Sequence, residues 1–203
     1  SDVEKNEKDQ DLAYRLNVKP VENISHWIQL RKTDVKFIQI STDHLYDNEG
    51  LNVEENILCR NTYATTKYCA EKIALNVDAS VLRTNFFGKS KNKNRQTISD
   101  WIELNVKNKT PIKLFNDVYF SPLSIGTLMK MILHVMKDFK SGVYNLGSRD
   151  GMSKAEFAYK LGVPLDKKNS FSTEVSVEDV GFFAIRPKGM MMDVSRFEKC
   201  FGI

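Results

Sequence analysis

Two residue pairs have the types and spacing for proton chemistry. In "NTYATTKYCAEKIAL", residues 61–75, Tyr63 stands four positions before Lys67 in a stretch that reads as a helix. Residues four apart share a helix face. An ammonium beside a phenol favours phenolate and draws the phenol down from its usual value near 10. A shift of roughly three units takes about 4 kcal/mol of differential interaction, enough to make Tyr63 a proton donor near neutral pH. The same spacing recurs by chance in many helices, where it is surface decoration. The second pair is Thr42 and Asp43 in "ISTD", at the end of a short β-branched run. In an open parallel sheet, ligands bind beyond the carboxyl ends of the strands. A Thr42 hydroxyl and a Tyr63 phenol there face one carbonyl oxygen.

The elements that must position these residues follow from periodicity. Apolar Leu12, Ala13, Leu16 and Val18 predict a helix over 7–18. Pro20 opens a second, 21–32, with Val21, Ile24, Trp27 and Ile28 along one face. "VKFIQIS", 35–41, reads as a buried strand, followed by a polar loop to Asn61. Residues 63–76 read as a helix and "SVLRTNFF", 80–87, as a second strand. Strand, loop, helix, strand is a βαβ unit and implies a parallel sheet. "TISDWIELNVK" reads as a helix starting near Thr97 or Ser99. "PIKLF" and "DVYF" are short strands, and "SPLSIGTLMKMILHVMKDF" is an amphipathic helix capped by Ser121 or Ser124. "GVYNLGS" is a strand, Ser153 and Glu156 form a capping box, and the tail 164–203 holds one or two strands and a last helix after Asp193.

Composition narrows the class. The chain has 203 residues, of which 41% are hydrophobic, enough to build a core. The net charge of +4 is small and its lysines are scattered, so nucleic acid is not an expected partner. Cys59, Cys69 and Cys200 are far apart and odd in number, which argues for reduced thiols in a cytoplasmic protein rather than a disulfide framework or a metal site. No run of eighteen apolar residues predicts a membrane span.

"FIQISTDHLYD", then "NTYATTKYCAEKIAL", then "VLRTNFFG" resemble the extended short-chain dehydrogenase/reductase family. Within it the resemblance is to dTDP-4-dehydrorhamnose reductases and their sugar-nucleotide relatives. "SPLSIGTLMKMI", "GVYNLGSRDGMSKAEFA" and "RPKGMMMDVSRFEKCFGI" are similar to that subgroup's C-terminal half. "DLAYRLNVKPVENI" resembles the helix that carries the family's relay Asn, here Asn17. The similarity spans nearly the whole chain.

This resemblance implies an NADPH- (or NADH-) dependent reduction of a nucleotide-linked 4-keto-6-deoxy sugar, in deoxysugar supply for surface polysaccharide. Thr42, Tyr63, Lys67 and Asn17 are the implied catalytic residues. Ser41, Tyr63, Lys67 and Asn85 are the implied cofactor contacts. Thr42, Asp43, His44, Phe86 and Arg186 are the implied substrate contacts, and no metal is involved. Family dehydratases carry Thr-Asp-Glu at the strand end, where this chain has Thr42-Asp43-His44. Epimerases usually carry a small residue in place of Asp43. His44 replaces the reductases' usual Tyr, Asn48 replaces a Gly, Ala64 stands where relatives often have Gly, and the Pro before the Tyr63 helix is absent. The alternatives are a non-catalytic regulatory or truncated member, or another family enzyme such as an epimerase.

The implied fold is α/β: a Rossmann-like parallel sheet, incomplete and lacking its first βα units, with a smaller C-terminal α/β substrate-binding part. Residues 1–109 are the expected remainder of the cofactor-binding domain and 110–203 the substrate part, with the chain crossing back to the sheet. No Gly precedes Gly50 and no G-x-G-x-x-G occurs, so the Gly-rich pyrophosphate turn is an expected absence. A homodimer is the expected assembly. Among other residues, His26 and His134 read as structural, Arg83 as a structural ion pair, and Met190 to Met192 as core filler. The basic loop Lys89, Lys91, Lys93 and Arg95 meets either a diphosphate or solvent.

Overall fold

The computed structural model describes residues 2–31, 34–92, 96–164 and 171–203. It opens with α1 (Val3–Lys8), α2 (Gln10–Asn17) and α3 (Lys19–Arg31). The single helix expected over 7–18 is broken at Asp9. Its carboxylate accepts from the Leu12 N–H at 2.8 Å and caps α2, a role Asp fills well. In α3 the inner line is Val21, Ser25 and Ile28. The expected Ile24 and Trp27 are 43% and 49% exposed, because α2 and α4 cover only the narrower stripe.

Next come β1 (Ile38–Ile40), a 3-10 turn (Asp43–Leu45), α4 (Thr62–Leu75) and β2 (Ser80–Phe87). β1 is shorter than the 35–41 run and half-buried rather than buried, since β2 pairs with one side of it and, among the described residues, no strand pairs with the other. Then follow α5 (Ile98–Asn108), β3 (Ile112–Phe115), β4 (Tyr119–Phe120), β5 (Pro122–Ser124), α6 (Ile125–Lys137) and β6 (Gly142–Leu146). The chain ends with β7 (Met152–Ser153), α7 (Lys154–Lys160), β8 (Ser172–Val175), a 3-10 turn (Val177–Val180), β9 (Gly189–Met190) and α8 (Ser195–Phe201). Thr97 with Asp100 caps α5, Ser124 caps α6, and Ser153 with Glu156 caps α7.

β1, β2 and β6 form a parallel sheet, with β5 parallel to the last residues of β2. Alternation along β2 assigns its two faces. Val81 meets Ala70 and Ala74 of α4 and Val21 of α3, and small alanines let that helix lie close. Leu82 points the other way, into a core with Leu128 and Val135 of α6 and Phe197 and Phe201 of α8. A separate core gathers Ile102 of α5, Leu114, Phe120, Phe157, Val177 and Met190. α5 therefore packs with the elements that follow it.

The tail is tied back to the loop after β1. Asp47 accepts from the Lys188 and Gly189 backbone N–H groups at 2.6 and 3.2 Å. A side chain at Gly189 would meet the Asn48 carbonyl oxygen at 2.0 Å, so only glycine allows this approach. The segment 182–187 is thereby brought towards the end of β1. Among the described residues no helix is long and apolar enough to cross a membrane.

Candidate active site

The site grows from the end of β1. The Ser41 N–H donates to the Leu82 carbonyl at 2.7 Å, carrying the pairing one residue beyond the strand. Thr42 stays extended, and its Oγ1 accepts from the His44 N–H at 3.2 Å, starting the 3-10 turn. That cap buries Thr42 and Asp43 beside the sheet's carboxyl edge. α4 begins at Asn61, whose side chain accepts from the Ala64 N–H and donates to the Ile185 carbonyl, each at 2.9 Å. One cap thus fixes both the helix start and the segment 182–187.

Tyr63 and Lys67 lie one turn apart on α4. The Lys67 ammonium donates to the Ile40 carbonyl at 2.7 Å, so it is held at the last residue of β1. Burial keeps its pKa below the ordinary range, with Glu71 opposing. Asn17 donates to Thr66 Oγ1 at 2.9 Å, and the Thr66 hydroxyl in turn is shared between the Thr62 and Tyr63 carbonyls at 2.9 and 3.0 Å. Asn17 therefore braces the turn between Tyr63 and Lys67 from the flank of α4. The His44 ring stands edge-on to Tyr63, centroids 5.4 Å apart.

Charge at the site is costly. Asp43 is fully buried and accepts from Asn85 Nδ2 at 2.7 Å and weakly from the Thr42 hydroxyl at 3.4 Å. Burial pushes its carboxyl up to about 6, against Lys154, Asn85 and Thr42, which favour the ion. Burial, then the Lys154 and Arg186 charges, push the His44 imidazole down to about 3, so it is neutral. Ser41 Oγ and His44 Nδ1 are buried without a hydrogen-bond partner among the described residues. Such orphans are uncommon in folded proteins and mark groups kept for another use.

A cavity of about 200 Å³ opens beside this group, its wall including His44, Lys154, Arg186, Phe115, Phe182 and Met190. Arg186 donates to Glu4 at 2.9 Å and stacks on Phe182, with 4.6 Å from Cζ to the ring centroid. Ser41, Thr42, Asp43, His44, Tyr63, Lys67 and Asn85 are thus brought to the ends of β1 and β2, and Arg186 to the cavity. Phe86 is 49% exposed and outside the cavity wall. Lys89 pairs with Glu103 on the surface, and Lys93 and Arg95 lie outside the described residues. Cys59, Cys69 and Cys200 are free thiols.

Lys154 escaped the sequence reading. Burial draws its ammonium down to about 8, with Asp43 opposing. One signal was present. A cation in the first turn of a helix opposes the helix dipole by only about 0.3–1 kcal/mol, and Lys19 does the same at the exposed start of α3, so the signal at Lys154 was weak.

Residues 1–203 match the family model described as RmlD substrate binding domain. A crystal structure of dTDP-4-dehydrorhamnose reductase from Bacillus anthracis, in complex with NADP, is 25% identical with a TM-score of 0.84, over 98% of this chain and 70% of that one. A hypothetical dTDP-4-dehydrorhamnose reductase from Sulfolobus tokodaii is 27% identical with a TM-score of 0.82, over the same shares. A probable low-salt glycan biosynthesis reductase of Haloferax volcanii is 22% identical over 172 residues, 81% of this chain. The matched region spans 57% of that curated relative.

Proposed function

We propose that this chain, which belongs to the RmlD substrate binding domain family, serves the reduction of a nucleotide-linked 4-keto-6-deoxy sugar to the alcohol, with NADPH or NADH as reductant. The observation that carries the reading is the placement of Lys67. Its ammonium is held at the Ile40 carbonyl, one turn from Tyr63, beside the strand end that presents Thr42.

The residues suit the nicotinamide-ribose end of such a cofactor. Lys67 and Tyr63 offer donors at the strand edge, and the unpartnered Ser41 hydroxyl lies at the same edge. When bound, the cofactor supplies the hydride. Tyr63 gives its phenolic proton to the oxygen that was the ketone, and Lys67 stabilises the phenolate left behind. Thr42 donates its hydroxyl to the same oxygen and so steadies the developing charge. The overall balance is ketone, NADPH and a proton going to alcohol and NADP⁺. Asn17, the family's relay Asn by resemblance, braces α4 through Thr66. The absence of a carboxylate at position 44, where His44 is neutral, suits reduction better than the elimination of water. The three free thiols suit a cytoplasmic setting, and a homodimer accompanies this reading as an expectation for sedimentation analysis.

The test uses the full natural protein with a dTDP-4-keto-6-deoxy sugar, following NADPH fluorescence. Tyr63→Phe is expected to lower turnover by about 10²–10⁴-fold, the usual size of a lost proton donor, with the melting temperature retained. Full turnover by that variant removes Tyr63 from the mechanism. Product with no net NADPH consumption replaces reduction with an epimerase-type reaction.

A further inference from the structure

The segment 182–187 brings Phe182, Arg186 and Pro187 to the wall of the His44 cavity, yet little in the segment itself holds it there. Its backbone is irregular and, among the described residues, joins no sheet. Phe183 and Ile185 are 65% and 63% exposed. Ala184 and Pro187 are buried, but no residue of the segment belongs to any of the three core clusters.

Backbone N–H groups outside a ladder need other acceptors. Here the acceptor comes from the far end of the chain, on α1. The Glu4 carboxylate accepts from the Phe183 N–H at 3.1 Å, from the Ala184 N–H at 3.3 Å and from the Arg186 guanidinium at 2.9 Å. Hydrogen bonds to an ionised acceptor are the stronger kind. Glu7, three positions on, accepts from the N–H of Thr62 at 2.7 Å, and Thr62 directly precedes Tyr63. Residues three apart share a helix face. One face of α1 therefore grips the tail segment with Glu4 and the start of α4 with Glu7. Asn61 joins the same two parts through the Ile185 carbonyl. Beyond the segment, Asp47 holds the Lys188 and Gly189 N–H groups.

We infer that α1 is a clasp and that Glu4 is a positioning residue: it sets Phe182 and Arg186 in the cavity wall at a fixed place relative to the Tyr63 turn. Glu4 acts through the segment it holds. Thr42 and Lys67 keep their own ties, to the His44 N–H and the Ile40 carbonyl, without it. Losing Glu4 therefore weakens capture of the substrate and spares the chemical step. The inference rests on the reductase reading for what enters the cavity, and on the contacts of α1 alone for the clasp.

Two measurements on the full natural protein test it. In hydrogen exchange, Glu4→Ala is expected to speed the Phe183 and Ala184 amides by about tenfold and to leave the Lys188 and Gly189 amides within about twofold. In turnover of a dTDP-4-keto-6-deoxy sugar with NADPH, the same variant is expected to raise KM by about tenfold with kcat within about twofold. Glu4→Gln, which keeps an acceptor oxygen and loses the charge, is expected to fall between. Lys5→Ala, on the exposed side of α1, is expected to change neither readout. Unchanged exchange at Phe183 and Ala184 in Glu4→Ala overturns the clasp. Faster exchange with KM unchanged overturns the positioning role, as does a fall in kcat that matches or exceeds the rise in KM. The two readings fail separately. An unaltered protein that does not reduce the sugar sinks the reductase reading, and the exchange result still decides the clasp. Reduction with a KM indifferent to Glu4 sinks only the positioning role.

Discussion

The molecule buries two polar clusters on the same pair of elements and treats them differently. On β2, Arg83 and Asn85 share one face; on α4, Glu71 and Lys67 are one turn apart. Arg83 and Glu71 form the inner cluster. The guanidinium makes a two-nitrogen contact with Glu71 at 2.6–3.1 Å and also donates to Tyr46 and to the Glu54 carbonyl. Tyr46 donates to Asn145, whose backbone N–H reaches Glu54 and whose amide reaches the Asn52 and Asp193 carbonyls. Asn52 in turn donates to the Gly189 and Met191 carbonyls. Two residues further along β2, and one turn earlier along α4, the outer cluster has Asn85 and Lys67 but also orphaned oxygen and nitrogen atoms and a raised carboxyl. A fully bonded polar network in a low-dielectric interior rigidifies a fold, and an incompletely bonded one costs stability. The inner cluster therefore holds sheet, helix and tail in register, so that the outer one can keep groups ready for a ligand.

Substitutions that exchange the roles break this comparison. The largest effect is expected for Arg83→Met, which leaves Glu71 buried and unpaired and destabilises the protein by about 3–5 kcal/mol in a urea titration. A loss below about 1 kcal/mol would show that the network is ornamental. Asp43→Asn is expected to act in the opposite direction. The Asp43 carboxyl, raised from 3.8 to about 6, binds its proton more tightly in the folded chain. Its favourable contribution is present below about pH 4 and is lost as the pH rises through 6. At pH 7 the ionised form costs about 3 kcal/mol, an upper figure, because the Asp43 charge also steadies Lys154. The Asn variant should gain about 1–3 kcal/mol at pH 7.5 and gain least near pH 4. Unfolding measured at both pH values checks the sign, and equal effects would detach Asp43 from the pH dependence. Tyr46→Phe is the mildest break, expected to cost about 1–2 kcal/mol as Arg83 and Asn145 each lose a partner. Its burial, opposed chiefly by Arg83, pushes the Tyr46 phenol up to about 12, so this bond persists across the working pH range.

Local pattern carried much of the fold. β2 has the bounds of the run read as a strand, 80–87, and α4 starts one residue before the predicted helix because Asn61 caps it. Thr97, Ser124 and Ser153 cap the helices that their types predicted. Pieces of two or three residues were less legible. β5 follows Ser121 in what reads as a helix start, and β7 is the first half of a capping box. Their pairing partners, not their composition, make them strands. The break at Asp9 is not legible in the apolar pattern, because Leu12, Ala13, Leu16 and Val18 all follow it and none of them marks where the helix starts.

By itself the sequence determined the Tyr63–Lys67 turn, the strand end at Thr42 and the βαβ unit that joins them, because each depends on residues within a few positions or on one repeating period. Tertiary structure alone decided that Lys154 would stand in the same cavity wall as His44 and Arg186, and that Asn17 would brace α4. Those neighbours are far apart in the chain. Their energies come from desolvation and charge in a shared interior, quantities that no local pattern of side chains contains.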